Sequence, residues 1–253
     1  MSQYFIKTDE ADSIKKTIEV LQSNFTDVCF EFGADGIRLL TIDKKEPYTK
    51  LADLKWSRDN FDEFKCVKPA NIGINLQHLY KLLKTIKKKD RISMELLKDK
   101  PGKLIINKII NGYQPSDSEL QITRRQLISV EMFENYKNPI LLTTANFQRA
   151  CKEINNLSKI ITITSKGSYI NFSCFVDGMF QHNVPFGTLD PESTAEEYED
   201  IFDTKALMGL VKINSLTDKM HIYTQPGQPL KISVKTGMLG TLDFYIRSKR
   251  MSE

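Results

Sequence analysis

Hydrophobic residues recur along this chain with two periods that alternate in blocks. Four segments place apolar residues three and four positions apart, which predicts amphipathic helices over 9–23, 76–91, 145–157 and 204–214. Between them, apolar and polar residues alternate, which predicts β-strands. The predicted strands of the first half are 4–7, 27–32, 37–42, 50–56, 63–68, 71–74, 92–97, 104–110 and 119–123. Those of the second half are 140–142, 160–164, 169–175, 179–185, 197–202, 219–224, 230–235 and 241–247.

The two halves of the chain repeat one order of elements: a strand, a helix, a run of strands, a second helix and a second run of strands. A repeat longer than about 100 residues indicates two copies of one domain. We therefore expect an α+β fold with two similar domains, each a mostly antiparallel sheet with two helices on one face. The predicted domains are 1–122 and 137–253, joined by a connecting loop at 123–136.

The connecting loop is unusual because it is apolar. It has no clean helical or strand period, yet it contains Leu127, Ile128, Val130, Met132 and Phe133. Connectors are normally short and polar. We interpret this one as a surface segment that offers apolar side chains.

Each predicted helix also has basic residues at helical spacing beside its apolar stripe. One such helix is most often simply solvated. Four of them on one face of a continuous sheet would instead point their charges the same way, and lysine side chains suit phosphates at no fixed register. No aromatic residues accompany the stripes, and no base-reading motif is present, so the pattern favours sequence-independent contact with duplex DNA. The basic positions are Lys15, Lys16, Lys81, Lys84, Arg149, Lys152, Lys205 and Lys212.

Overall charge and cysteine usage change this interpretation little. The 36 basic and 32 acidic residues give a net charge of +4, which permits a polyanionic partner without requiring one, so the placement of the lysines matters more. The four cysteines stand singly, without metal-ligand spacing, and indicate free thiols in a reducing compartment. The N-terminus has no signal-peptide pattern, and no apolar run approaches the roughly 20 residues of a membrane span. We expect a soluble intracellular protein.

A search for catalytic chemistry finds no candidate site. His78, His182 and His221 lie far apart in the sequence, with no arrangement that suits a catalytic triad. Neither a phosphate-binding loop nor a dinucleotide fingerprint occurs. We therefore expect a binding module without a cofactor rather than an enzyme.

Short segments spread over nearly the whole chain resemble the proliferating cell nuclear antigen family, the sliding clamps of DNA replication. Each segment alone is weak, but their order and spacing are specific. They are GIRL at 36–39, FDEFKC at 61–66, IGINL at 72–76, SDSEL at 116–120, FQRACK at 147–152 and LDFY at 242–245.

The resemblance implies a closed ring, usually of three subunits, that encircles double-stranded DNA with the helices lining the hole. It implies phosphate contact at seven of the eight basic positions above, all but Lys205. The resemblance also implies partners: a clamp loader, DNA polymerase, and other replication and repair proteins that insert a motif with a glutamine, an aliphatic residue and two aromatic residues. The implied pocket comprises Ile42, Leu51, Val130, Met132, Pro229 and Tyr245.

Subunit contacts are expected at two edge strands, within 117–123 and 180–185, with Ser118, Leu120, Phe180 and His182 at the interface. The chain departs from typical cellular members, which are acidic, in its net charge and in the basic C-terminal residues Arg247, Lys249 and Arg250. A divergent clamp of viral source fits these departures, acting in the nucleus or at the site of viral DNA replication. The alternative is a clamp-like scaffold, held on DNA as a monomer or dimer by basic charge, without a stable ring.

Overall fold

The computed structural model describes residues 2–43, 50–110, 114–124, 126–130 and 132–251, in a chain that divides into two compact units. The first unit comprises Met1–Thr41, Ala52–Ser129 and Lys235–Leu242. The second comprises Ile42–Leu51, Val130–Val234 and Asp243–Glu253. The predicted domain boundaries at 122 and 137 stay a prediction.

Antiparallel strands form the sheets of both units. The strands of the first part of the chain are β1 (Ser2–Thr8), β2 (Asp27–Phe32), β3 (Gly36–Ile42), β4 (Lys50–Ser57), β5 (Glu63–Cys66), β6 (Ala70–Asn75), β7 (Arg91–Leu97), β8 (Lys103–Ile109), β9 (Ser116–Gln121) and β10 (Thr123–Arg124). The later strands are β11 (Ile140–Thr143), β12 (Ile160–Lys166), β13 (Tyr169–Val176), β14 (Phe180–Phe186), β15 (Tyr198–Asp203), β16 (Lys219–Tyr223), β17 (Leu230–Lys235) and β18 (Gly240–Ile246).

Four α-helices occur in the described residues: α1 (Ala11–Gln22), α2 (Leu76–Leu83), α3 (Thr144–Asn155) and α4 (Thr204–Met208). Two 3₁₀ helices, Arg58–Asn60 and Val211–Ser215, accompany them. The predicted α+β class, with antiparallel sheets and four helices, is therefore confirmed for this part of the chain.

The first unit packs the apolar stripes of α1 and α2 against strands. One sheet has the order β5-β1-β7-β8-β9, and a second run of adjacent strands has the order β10-β6-β2-β3-β4. Ile14 and Ile18 of α1 and Leu79 of α2 are almost fully buried, as their spacing predicts. Helices α1 and α2 also contact each other, so their polar sides are held in a fixed relation.

The second unit repeats this arrangement. Its four-stranded sheet has the order β14-β13-β12-β15, and β18-β17-β16-β11 form another run of neighbours. Helix α3 packs on this unit through Phe147, Cys151 and Ile154, all buried, and it contacts α4 and the 3₁₀ helix at 211–215. Burial raises the pKa of the Cys151 thiol well above its ordinary value.

Two predicted helices end earlier than their periodicity indicates. The helix predicted over 76–91 stops at Leu83, because the Asp90 carboxylate accepts a hydrogen bond from the Lys87 N–H at 2.7 Å and closes a turn. Ile86 continues the apolar spacing of the predicted helix, and it is buried after the helix end rather than within the helix. The fourth helix stops at Met208 with Gly209 as its C-cap, and a 3₁₀ helix follows.

Helix starts follow ordinary capping chemistry at three of the four α-helices. The side chain of Asn75 accepts a hydrogen bond from the His78 N–H at 3.1 Å, and Asp203 accepts one from the Lys205 N–H at 2.8 Å. Thr143 caps α3 by accepting a hydrogen bond from the Asn146 N–H at 3.2 Å. No side chain caps α1.

Candidate functional site

The basic positions of α1 are held by one carboxylate. Asp12 lies in the first turn of the helix, and its two oxygens lie 2.5 Å from the Lys15 Nζ and 2.9 Å from the Lys16 Nζ. The Lys15 ammonium also donates to the carbonyl oxygen of Ile86 at 2.6 Å, which ties α1 to the turn after α2. Lys15 and Lys16 are therefore partly neutralised and partly buried.

Electrostatics at Asp12 agree with this geometry. Partial burial alone would raise the pKa of this carboxyl, but the hydrogen bonds and charges of Lys15 and Lys16 outweigh burial and lower it. Asp12 is therefore ionised at neutral pH, and it offsets one of the two positive charges beside it.

Lys81 and Lys84 of the first unit have a different environment. Both are exposed at the end of α2, three positions apart, and the side chain of neither has an ion pair or hydrogen bond with another residue in the described part of the chain. Their ammonium groups are free to meet an external anion. The lysines at 87–89, inside the helix predicted over 76–91, instead follow the shorter α2 in a turn.

The second unit also contains both paired and unpaired cations. Arg149 lies 3.8 Å from the Glu153 carboxylate, and its guanidinium lies 5.4 Å from the centre of the Phe186 ring. Lys152 and Lys205 are exposed, and within the described residues neither forms an ion pair. Lys212 is exposed and makes an interaction within the chain.

The predicted docking residues converge on one cleft of the second unit. Five of the six predicted positions line it, since Met132 is half-buried but does not line it. Its volume of about 40 Å³ suits the tip of one aliphatic side chain. The full lining is Ile42, Lys50, Leu51, Val130, Phe133, Pro229, Tyr245 and Arg247.

Sequence reasoning missed three of these lining residues. Phe133 is one of the apolar residues of the connector, which is a signal in the sequence, but the resemblance does not assign it to the pocket. Lys50 gave no signal. In the sequence, Arg247 stands out only as a basic residue where the family is acidic. Its position two residues after Tyr245 is the signal that could have placed it at the pocket.

Beside this cleft, the side chain of Lys231 is enclosed by aromatic rings. Its Nζ lies 5.2 to 5.6 Å from the ring centres of Tyr136, Tyr223 and Tyr245. It also forms an ion pair with Asp243 at 2.9 Å. We call this group the Lys231 cage. Burial lowers the pKa of Lys231, but the hydrogen bonds and charges of Asp243 and Tyr245 outweigh burial and raise it, so the lysine stays charged.

The Lys231 cage also fixes the end of the apolar connector. The Tyr136 hydroxyl donates to the carbonyl oxygen of Pro229 at 2.8 Å, and both Pro229 and Tyr245 line the cleft. Tyr223 and Lys231 pair across strands β16 and β17, and Tyr245 lies on the next strand, β18. Tyr136 belongs to the distant connector, so no periodicity or motif could have predicted that its ring also meets the lysine.

The predicted interface residues lie on strands that end their sheets. Strand β9 has β8 as its neighbour, and β14 has β13, with no further strand beside either in the described chain. On β9, Ser118 is half-buried and Leu120 is buried; on β14, Phe180 is exposed. His182 has its Nε2 3.4 Å from the Glu153 carboxylate.

Two other kinds of site find no support in the described residues. No group of three or more histidine, cysteine, aspartate or glutamate side chains there could hold a metal ion. No described helix has the length and apolar character to cross a membrane.

Comparison with known proteins finds a matching family model and several relatives. The family model for the proliferating cell nuclear antigen, N-terminal domain, matches residues 4–127. The chain is 25% identical to a "Probable DNA polymerase sliding clamp 1" of Paramecium bursaria Chlorella virus 1, over 96% of this chain and 95% of that protein. It is 22% identical to "Proliferating cell nuclear antigen 2" of Drosophila melanogaster, over 93% of both chains.

A third relative is longer than this chain. The "Probable DNA polymerase sliding clamp" of Acanthamoeba polyphaga mimivirus is 23% identical over 83% of this chain but only 47% of its own length. The matched region is therefore about half of that protein.

Proposed function

Because this chain belongs to the proliferating cell nuclear antigen family of DNA polymerase sliding clamps, a non-catalytic family, we propose that it encircles duplex DNA without sequence specificity and tethers a polymerase. The observation that carries the proposal is a set of exposed lysines on helices or at helix ends of both units, whose side chains form no ion pair with any described residue. Lys81 and Lys84 represent the first unit, and Lys152 and Lys205 the second. Mobile ammonium groups attract phosphates without fixing a register, which permits sliding.

In this proposal the cations have unequal shares in DNA contact. The largest contributions come from Lys81, Lys84, Lys152 and Lys205, because nothing in the described chain neutralises their charge. Lys15, Lys16 and Arg149 contribute less, since acidic neighbours already offset their charge.

The ring in this proposal is a homotrimer closed by edge strands. Strand β9 of one copy adds to strand β14 of the next, which satisfies backbone groups at both sheet edges. Ser118, Leu120, Phe180 and His182 then lie at the subunit contact. Partner proteins dock at the cleft lined by Leu51, Val130 and Tyr245, where an apolar anchor meets a complementary surface.

Charge reversal at α2 tests the DNA contact. We expect K81E/K84E to abolish stimulation of a polymerase on a primed circular template while the protein stays folded, because attraction to phosphate becomes repulsion. The matched control is K88E/K89E, which reverses two exposed charges in the turn after α2 and should retain most of the stimulation. Undiminished stimulation by folded K81E/K84E would remove the proposed role.

The ring itself is tested by mass in solution at micromolar concentration. A closed trimer has three times the mass of one 29.1 kDa chain. A single-chain mass would favour the alternative, a scaffold held on DNA by charge. Affinity for open linear DNA should be poor and steeply salt-dependent; tight, sequence-selective binding to short duplexes would contradict the proposal.

A further inference from the structure

Among the described residues, the docking cleft has apolar walls, and the only charges at its rim are basic. Six of its lining residues are apolar, and the other two are Lys50 and Arg247. No acidic side chain lines it in the described part of the chain. An occupant therefore meets positive charge beside an apolar surface.

Among the described residues, no acidic side chain compensates the charge of Arg247 at the rim of the cleft. The Arg247 side chain is exposed, and it has no ion pair with any described residue. Nearby, Arg250 is already matched by Glu199, with its Nη2 3.2 Å from the Glu199 carboxylate. Lys50 is a weaker candidate, because the Asp43 N–H donates to its carbonyl oxygen at 2.9 Å and so places an acidic residue beside it.

Guanidinium chemistry determines what Arg247 can recognise. Its planar fork of N–H donors matches a carboxylate, and it can donate two parallel hydrogen bonds to one carboxylate group. Because Arg247 and Tyr245 are two positions apart on one segment, a carboxylate at Arg247 lies close to an apolar group seated in the cleft.

We propose that Arg247 makes the docking cleft select partner segments in which Asp or Glu flanks the apolar anchor. The inference rests on the proposed docking function and deepens it by naming the partner's charge. The charge complementarity is local, since the protein as a whole is only mildly basic. The occupant is thus an apolar segment with acidic flanks, and a basic flank is disfavoured by like-charge repulsion.

The test uses synthetic peptides that share the glutamine, aliphatic and two-aromatic motif. One has aspartate on both flanks, one has lysine and one has asparagine. Dissociation constants are measured by isothermal titration calorimetry with the full chain, at low and at physiological salt. We expect the aspartate peptide to bind about fivefold more tightly than the lysine peptide at low salt, with a smaller ratio at physiological salt.

Two variants separate the role of Arg247 from a general charge effect. R247E should reverse the preference between the aspartate and lysine peptides, read as the ratio of their two dissociation constants within the same variant. The matched control K249E makes the same charge change at an exposed lysine that does not line the cleft, and it should keep the preference. Thermal unfolding of both variants verifies that they are folded.

Each outcome has a definite meaning. Equal binding of all three peptides, or a preference for the lysine peptide, overturns the role of Arg247 and leaves docking at the cleft intact. An equal loss of preference in R247E and K249E also overturns it, because the effect is then one of total charge. If no peptide binds, the docking part of the proposed function fails, and this inference fails with it.

Discussion

Replacing Asp12 by asparagine should weaken the fold slightly and strengthen DNA contact. The carboxylate of Asp12 holds Lys16, and it shares Lys15 with the carbonyl oxygen of Ile86. In D12N, the Lys16 ammonium is released, while Lys15 keeps its hydrogen bond to Ile86. The substitution therefore exchanges a helix-stabilising contact for cationic charge that can reach phosphate.

The stability loss in D12N can be sized from its parts. Each partly exposed ion pair within a helix contributes about 0.3–0.5 kcal/mol. A carboxylate in the first turn adds about 0.3–1 kcal/mol through the helix dipole. The total is about 1–2 kcal/mol, which lowers the melting temperature of a chain of this size by about 2–8 °C.

The stability difference between D12N and the unaltered chain should decrease as the pH is lowered. The pKa of Asp12 is lower in the folded protein than in the unfolded chain, where it is about 3.9. The ion pairs therefore stabilise the fold fully above that value. Their contribution is lost as the pH falls through the lowered pKa, so the difference should persist at neutral pH and disappear in strong acid.

The gain in DNA contact is measured by fluorescence anisotropy of a labelled duplex over a salt series. Each additional neutralised phosphate steepens the slope of log affinity against log salt by about 0.9. We expect the slope for D12N to steepen by about 0.9 per subunit from Lys16, and by up to about 1.8 if Lys15 also reaches phosphate.

The matched control for D12N is D9N. Asp9 is an exposed acidic residue in the turn before α1, without an ion pair in the described residues, so D9N makes the same charge change without releasing a lysine. Equal gains in D9N and D12N would show that total charge, and not the release of Lys16, controls binding. Weaker binding in D12N would refute the reasoning outright, because Asp12 would then orient the lysines for contact.

Two further substitutions test packing. G240A places a Cβ 1.9 Å from the Lys55 carbonyl oxygen, so we expect a loss of about 2–4 kcal/mol in urea unfolding, whereas G33A, with its nearest neighbour at 3.8 Å, should be nearly neutral. K231M leaves the Asp243 carboxylate without its ammonium partner and should lower the free energy of unfolding by about 2–4 kcal/mol. Its control, K235M, replaces an exposed lysine on the same strand and should change that free energy little. Equal unfolding free energies within either pair would contradict the corresponding contact.

The fold could be predicted from the sequence because it depends on local periodicity. Apolar residues at helical spacing placed Ile14, Ile18 and Phe147 in the core, and all three are buried. The end of α2 could not be predicted in this way, since the periodicity continues to Ile86. The Lys87 backbone N–H donates to the Asp90 carboxylate and is therefore not available for a helical hydrogen bond. Such a bond ends a helix without changing the spacing of apolar residues in the sequence.

The candidate sites were predictable to different degrees. Resemblance to a family supplied five residues that line the cleft, because the resemblance runs along nearly the whole chain and so also assigns positions between the short motifs. Asp12 pairs with Lys15 and Lys16, which are three and four residues later in the same helix, so these ion pairs could have been predicted from the spacing. The complete Lys231 cage could not, since Tyr136 comes from the distant connector and only tertiary structure brings its ring to the lysine.

The connector is anchored at both of its ends, and this bears on the entropy of partner binding. At its start, Thr123 and Arg124 pair with β6 through Gly73 and Ile72. At its end, the ring of Tyr136 is held against Lys231 and its hydroxyl against Pro229. A segment fixed at both ends samples fewer conformations than a free tail, so ordering it on a partner forfeits less freedom. The apolar residues between these anchors are thus presented at a low conformational cost.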